Sequence, residues 1–371
     1  MAQWEQLLAK RTEKMKASDI RDAFRLSEQS DIISFAGGFP SPETFPAEAV
    51  ADAARAVALN DAVSAFQYGP TEGFLELRQI LARNMARQGV TTGPDGILIT
   101  NGSQQALDLL AKLFINPGDP VIVELPGYIG GIGALTNYEA EPMGVPIDQD
   151  GMRVDRLVQM LEERRARGLS MPKLAYLVPN FQNPSGVSLS TERRLALLAA
   201  AERFGFLIIE DNPYGEIRFE GEALPHLASL DRSGHVLYMG SFSKQFLPGV
   251  RLGWLVGDPK LIQKLVVAKQ ATDLCTNSFG QRLVIECERR DLLDAHIPVL
   301  AAIYRRKRDA MLAALAAHFP AGVHWTKPKG GFFIFVTLPA GLDAKKLLPD
   351  AVAEEHVAYV SGGAFFVDGS G

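Results

Sequence analysis

Between residues 97 and 257 the chain repeats one pattern: a short apolar run, a loop, then a stretch at helical spacing. The apolar runs fall at 97–100, 121–124, 174–178, 206–210, 236–239 and 252–256, and helical stretches at 104–114, 153–167 and 191–204 separate them. Strands that are apolar throughout are buried on both faces, and strands joined through helices run parallel. The spacing therefore predicts an α/β fold whose large domain is a mostly parallel sheet flanked by helices. In such sheets ligands collect beyond the carboxyl ends of the strands.

The flanking regions read differently. Residues 3–30 alternate apolar and charged positions at helical spacing, with Ser18 or Asp19 as a helix N-cap. Helices are expected over 46–59 and 75–88. After about residue 258 long helices dominate (259–271, 277–290, 296–318), followed by a glycine-led strand at 329–336 and another strand at 357–360. The predicted organisation is a large domain over 46–285 and a smaller α+β domain built from 1–45 and 286–371.

Charge and composition exclude several functions. A net charge of -5 gives no basic footprint for nucleic acid or for an anionic membrane. The arginines at 164–165 and the basic run at 305–308 lie in helical patterns and read as solvated faces. Two cysteines, Cys275 and Cys287, are too few for a disulfide framework and fit a reduced, cytoplasmic setting. The six histidines show no metal-ligand spacing, so no metal is expected. No apolar run reaches membrane-span length, and Met1 to Lys16 has no signal-peptide core.

The chemistry-bearing residues follow the strands. Lys244 sits in a serine-flanked turn, Ser241-Phe242-Ser243-Lys244, between two apolar runs, with Arg251 seven residues on. Burial there lowers an amine's pKa and makes it a nucleophile toward carbonyls, that of pyridoxal phosphate among them. Serine hydroxyls and an arginine suit a phosphate; the plain alternative is a solvated loop lysine. Ser103 and Gln104 open a helix after the run at 97–100. Free N–H groups there either cradle a phosphate or form an ordinary helix start. Tyr128 follows the next run and stacks on a flat ring or simply packs. Asn183, before Pro184, either donates to a phenolate oxygen or belongs to an Asn-Pro turn. Asp211 ends an apolar strand, with Tyr214 three residues later. A carboxylate there needs a cationic partner, such as a protonated pyridine nitrogen, unless it is a helix N-cap ahead of Pro213. Gly37 and Gly38 let the backbone approach something closely, or form a turn. Together these motifs are far more specific than any one of them.

From about residue 18 onward the chain resembles the fold-type I pyridoxal-phosphate aminotransferases. Within them it is closest to the branch of 2-aminoadipate and broad-specificity branched-chain or aromatic aminotransferases. The resemblance is carried by Ser-Phe-Ala-Gly-Gly-Phe-Pro (34–40), Gln-Tyr-Gly-Pro-Thr-Glu-Gly (67–73), Gly-Ser-Gln-Gln-Ala-Leu-Asp (102–108), Phe-Gln-Asn-Pro-Ser-Gly (181–186), Glu-Asp-Asn-Pro-Tyr (210–214), Gly-Ser-Phe-Ser-Lys (240–244) and Lys-Pro-Lys-Gly-Gly-Phe-Phe (327–333). It implies pyridoxal 5'-phosphate as cofactor and ping-pong transfer of an amino group between an L-amino acid and a 2-oxo acid. By the same likeness Lys244 is the Schiff-base lysine and proton shuttle, and Asp211 the partner of the ring nitrogen. Asn183 and Tyr214 bond the phenolic oxygen, and Tyr128 stacks on the ring. Ser103, Gln104, Ser241, Ser243 and Arg251 hold the phosphate. Tyr68 matches a tyrosine lent to the neighbouring subunit's phosphate, implying a homodimer with shared sites. Gly38 lies in the loop that meets the substrate carboxylate, Asn183 also binds substrate, and Arg21 matches an arginine that binds distal carboxylates. The family continues through a Gly-rich loop into an Asn-x-x-Arg-Leu strand and a final helix, whereas this sequence stops at Gly371 inside that loop. A continuation carrying the carboxylate-binding arginine is expected. The same fold also serves pyridoxal-phosphate lyases and decarboxylases, and the sensor domains of certain transcription regulators.

Overall fold

The computed structural model describes residues 4–15 and 31–371. With strands numbered in chain order, β1 (Ile33–Ser34) pairs in parallel with β12 (Val357–Ala358), and β10 (His324–Trp325) pairs with β11 (Val336–Thr337) in antiparallel fashion. The main sheet contains β2 (Ile97–Thr100), β3 (Pro120–Leu125), β4 (Glu141–Asp148), β5 (Gly151–Met152), β6 (Leu174–Leu177), β7 (Leu207–Asp211), β8 (Val236–Ser241) and β9 (Gly253–Val256). Its order is β2-β9-β8-β7-β6-β3-β4-β5, and all strands run one way except β9 and β5. The mostly parallel sheet expected from the repeating pattern is present. The hairpin of β4 and β5 is an addition that the pattern did not signal.

Helices cover both faces. On one, Leu107 and Leu110 of the helix Gly102–Phe114 and Ile262 and Leu265 of the helix Pro259–Asp273 pack over Val121, Val123, Ile209 and Met239. On the other, Leu157 and Leu161 of Val154–Ala166 and Leu197 and Ala201 of Thr191–Phe204 pack over Ile122, Ala175, Leu177 and Ile208. Neighbouring strand residues such as Ile208 and Ile209 thus serve opposite layers, as the two-residue period of a strand requires. The helix Thr191–Phe204 starts where the Ser190 side chain accepts from the Arg193 N–H, and stops at Gly205 in the left-handed conformation.

Three expectations need correction. The strand at 329–336 is mostly irregular: only Val336 joins a ladder, while Gly330 makes a lone bridge to Arg218. Gly331 has φ 72°, and a Cβ there would lie 2.5 Å from Phe181, so the turn requires glycine. The ladder expected at 357–360 ends at Ala358. The helical spacing over 3–30 gives 3-10 turns at Trp4–Leu7 and Lys10–Lys14; Ser18 and Asp19 lie outside the described residues.

Beneath the sheet, Arg194 is fully buried. Its guanidinium donates to the carbonyls of Leu189 (2.9 Å), Pro225 (3.0 Å) and Pro179 (3.0 Å) and to Asn180 Oδ1 (2.7 Å), and lies 3.8 Å from Glu210. Glu210 also accepts from the N–H groups of Leu227 (2.9 Å) and Ala228 (2.8 Å). Removing the cation strands a buried carboxylate, which costs about 3–5 kcal/mol. Arg194→Met is expected to lower the thermal unfolding midpoint sharply; a midpoint within a degree or so of the parent's would show that Glu210 does not need this partner.

Candidate active site

The site lies along one edge of the sheet, where β2, β3, β6, β7 and β8 end and β9 begins. Lys244 sits on the single turn Phe242–Gln245 that follows β8, where Ser241 Oγ accepts from the Ser243 N–H at 3.1 Å. The Lys244 Nζ donates to the Gly38 carbonyl at 2.6 Å. Burial, and then the charge of Arg251, bring its pKa down to about 8. Gly38 must be small, because a Cβ there would lie 2.4 Å from the Phe333 ring.

Arg251 forms one wall of a cationic cradle. Its guanidinium lies 3.4 Å from both Ser243 Oγ and the Pro248 carbonyl and donates to each. A Cβ on Gly102 would lie 2.6 Å from one of its nitrogens, so Arg251 lies directly against the start of the helix Gly102–Phe114. Ser103 and Gln104 belong to that first turn, whose N–H groups have no partner within the helix. The Gln104 side chain donates to the Gly130 carbonyl at 2.8 Å and so ties the cradle to the segment after Tyr128. The turn is braced from behind. Asp273 accepts from Asn101 Nδ2 (2.5 Å), Gln105 Nε2 (2.6 Å) and the buried Lys269 Nζ (2.7 Å).

The other end of the site is acidic and aromatic. Asp211 ends β7 at 3% exposure; Oδ2 accepts from the Tyr176 hydroxyl at 2.9 Å, while Oδ1 has no partner among the described residues. Burial pushes this carboxyl up to about 7, against the hydrogen bond from Tyr176, which favours the anion. Asn183 Oδ1 is likewise buried and unpartnered, while the Asn183 side chain is a hydrogen-bond partner of the Tyr214 hydroxyl. Tyr214 packs on Phe332 and Phe333, at 5.7 and 5.5 Å between ring centroids. Tyr128 bends over Gly130, where a Cβ would lie 2.4 Å from its hydroxyl, and its phenol is raised by burial and then by the charge of Asp211.

The structure thus gathers Lys244, Gly38, Ser241, Ser243, Arg251, Ser103, Gln104, Tyr128, Asn183, Asp211 and Tyr214 along one edge. It leaves Tyr68 pointing away from the chain at 77% exposure, and Arg21 lies outside the described residues. Sequence reading missed Tyr176, and also Gln182, whose amide donates to the Pro126 carbonyl (2.9 Å) while its oxygen accepts from Ser185 Oγ (2.6 Å). Gln182 thereby clasps the loop before Tyr128 to the loop holding Asn183. The one signal for Tyr176 was a hydroxyl in an otherwise apolar strand.

A nucleophilic amine, a cationic cradle and two unpartnered buried acceptors fit a phosphorylated ring that carries a carbonyl and a protonated nitrogen. The family described as "Aminotransferase class I and II" matches residues 30–371. The chain belongs to this family. The aminotransferase is 47% identical over 353 residues to aromatic-amino-acid aminotransferase 1 of Thermococcus litoralis, across 95% of this chain and 84% of that one. The solved kynurenine aminotransferase of Pyrococcus horikoshii superimposes with a TM-score of 0.95 at 44% identity, over 100% of this chain and 91% of that one. The α-aminoadipate aminotransferase of Thermus thermophilus, solved with a phosphopyridoxyl leucine, gives 0.91 at 38% identity, over 100% and 91% of the two chains. The cofactor of this aminotransferase is pyridoxal 5'-phosphate. No helix among the described residues is long and apolar enough to cross a membrane.

The raised Asp211 carboxyl makes a prediction for the cofactor-free protein. Between 3.8, its ordinary value, and about 7 the folded state holds a proton that the unfolded state has lost, so this group makes stability fall as pH rises through that window. Asp211→Asn removes the effect. Its thermal midpoint should match the parent's in acid and exceed it increasingly up to about pH 7, while cofactor retention falls. Parallel midpoint curves would show that the carboxylate is not strained by burial.

Proposed function

We propose that the enzyme moves the amino group of aromatic, aliphatic and 2-aminoadipate- or glutamate-like L-amino acids to a 2-oxo acid by a ping-pong mechanism centred on Lys244. The observation that carries the reading is the amine itself, held at the edge of the sheet with its pKa brought down to about 8. Near neutral pH a usable fraction of such an amine is unprotonated. Pyridoxal phosphate supplies the carbonyl that takes up and returns the amino group, and a ring that draws electrons from the Cα–H bond. Lys244 would hold the cofactor through its Nζ, and, once freed by the incoming amine, that Nζ would carry the proton away from Cα. The unpartnered Asp211 Oδ1 would meet the ring nitrogen and hold its proton there. Asn183 and Tyr214 bond the phenolic oxygen, Tyr128 stacks on the ring, and Ser103, Gln104, Ser241, Ser243 and Arg251 hold the phosphate. Gly38 and Asn183 lie where the substrate carboxylate binds, and Arg21 is the proposed contact for acidic side chains.

Breadth of substrate is supported by aromatic walls. Phe39 stands 5.9 Å from the Lys244 Nζ, and Phe333 lines Gly38. The relatives' names span aromatic amino acids, kynurenine and α-aminoadipate. A homodimer with shared sites is supported by the run Leu59, Val63, Phe66 and Tyr68, which are 69, 88, 67 and 77% exposed. Tyr68 then completes the phosphate cradle of the neighbouring subunit. Free Cys275 and Cys287 suit a cytoplasmic setting. Residues 1–45 and 286–371 act as a smaller domain, an arrangement supported by the pairing of β1 with β12 and by the Tyr304 hydroxyl, which accepts from the Ser41 N–H at 2.7 Å.

Four outcomes are expected. Mixing the cofactor-loaded enzyme with single amino acids, without an oxo acid, should bleach its visible band and yield pyridoxamine phosphate. Lys244→Ala should abolish turnover while retaining noncovalent cofactor; turnover above about a thousandth of the parent's would sink the assignment. By light scattering the protein should be dimeric. Tyr68→Phe should release cofactor faster, and a monomer with full activity would refute the shared site.

A further inference from the structure

Tyr176 is the one polar side chain of β6, between Ala175 and Leu177, and it is 2% exposed. In the sheet it lies opposite Ile209, and therefore on the face that Asp211, two residues further along β7, also occupies. Its hydroxyl donates to Asp211 Oδ2 at 2.9 Å. The ring is fixed from above by the helix Ile129–Thr136, where a Cβ on Gly131 would lie 2.4 Å from its edge carbon and from its hydroxyl. Neither ring nor hydroxyl has room to turn away. A residue placed only to fill space would need no hydroxyl, since burying one has a cost. Here the hydroxyl occupies one carboxylate oxygen and leaves the other, Oδ1, buried and without a partner among the described residues.

We propose that Tyr176 is a positioning residue for the cofactor: it holds Asp211 ionised and turns Oδ1 toward the ring nitrogen, and so sets how strongly the ring draws electrons. This rests on the role given to Asp211 above. Burial raises the Tyr176 phenol well above its usual range, followed by the charge of Asp211, so it stays protonated and remains a donor. The other titratable groups that feel Asp211 are Tyr128, Tyr214 and Tyr238, all phenols raised by burial, and Glu124, an acid pushed up to about 8 by burial. Glu124 is occupied elsewhere, accepting from the Val178 N–H (3.0 Å) and Gln182 Nε2 (3.3 Å).

The test is Tyr176→Phe in the cofactor-loaded enzyme. Without the hydroxyl, Asp211 becomes a stronger base and competes for the ring nitrogen's proton. The lysine-bound cofactor's visible band should then titrate at higher pH, by about one unit. Cofactor should leave on dialysis about tenfold faster, and kcat should fall about tenfold with KM nearly unchanged. The thermal midpoint of the cofactor-free protein should not fall. In an Asp211→Asn background the Tyr176→Phe change should add nothing to the spectral shift. A wild-type titration and dialysis rate in Tyr176→Phe, with Asp211→Asn still shifting both, overturns the inference and leaves the role of Asp211 standing. An Asp211→Asn enzyme with an unmoved titration overturns both.

Discussion

One desolvated carboxylate organises this site. Asp211 comes at the end of a strand whose other residues belong to the core, so it enters a region without water. One oxygen receives the Tyr176 hydroxyl, and the partner proposed for the other is the cation of the cofactor ring. Without that cation the group is pushed toward its neutral form. On the proposed reading, the protein carries inside its own core a charge deficit that the cofactor ring would fill. Charge-assisted binding in a dry site is stronger than the same contact in water, so the deficit supplies affinity as well as orientation.

The opposite end of the site obeys the same rule with the signs reversed. Burial, and then the like charge of Arg251, discourage protonation of Lys244. The phosphate proposed for the cradle between Arg251 and the first turn after β2 would relieve that repulsion. The cradle does not rely on flexible side chains alone. Its helix start is pinned through Asn101, Gln105, Asp273 and the buried Lys269, and its floor is a glycine that lets the guanidinium reach the backbone. Lys244 meanwhile reaches back to Gly38, so the segment before β2 closes over the amine that does the chemistry.

Much of this was legible in the chain itself. Continuous apolar runs separated by helical stretches specify buried parallel strands, and residues just past such runs must lie at one edge. Hence the sequence alone puts Ser103, Tyr128, Asn183, Asp211 and Lys244 at one edge. What escaped was whatever depends on a partner distant in sequence. Tyr176 looks like core until its hydroxyl meets Asp211; Gln182 looks like turn until it spans to Pro126; Lys269 looks like a helix-surface lysine until its helix closes on Asn101. The irregular path of 329–336 escaped for a related reason. Gly330 and Gly331 pack against Phe181, and that contact, not the local preference of a phenylalanine-rich run, decides the backbone there.

The pair Glu210 and Asp211 shows why chemistry was harder to read than position. They are consecutive, equally buried and equally acidic in sequence. Because side chains alternate along a strand, they point into different layers. Glu210 finds a complete protein environment: two backbone donors, with the Arg194 guanidinium nearby. Asp211 finds a phenol on Oδ2 and, among the described residues, no partner on Oδ1. The first arrangement gives both carboxylate oxygens backbone donors from within the fold. The second is complete only when something else arrives. A buried polar atom left unsatisfied is ordinarily a defect that native structures avoid. Its persistence next to a carboxylate with donors on both oxygens supports the proposal that Glu210 builds the sheet while Asp211 serves the site at its edge.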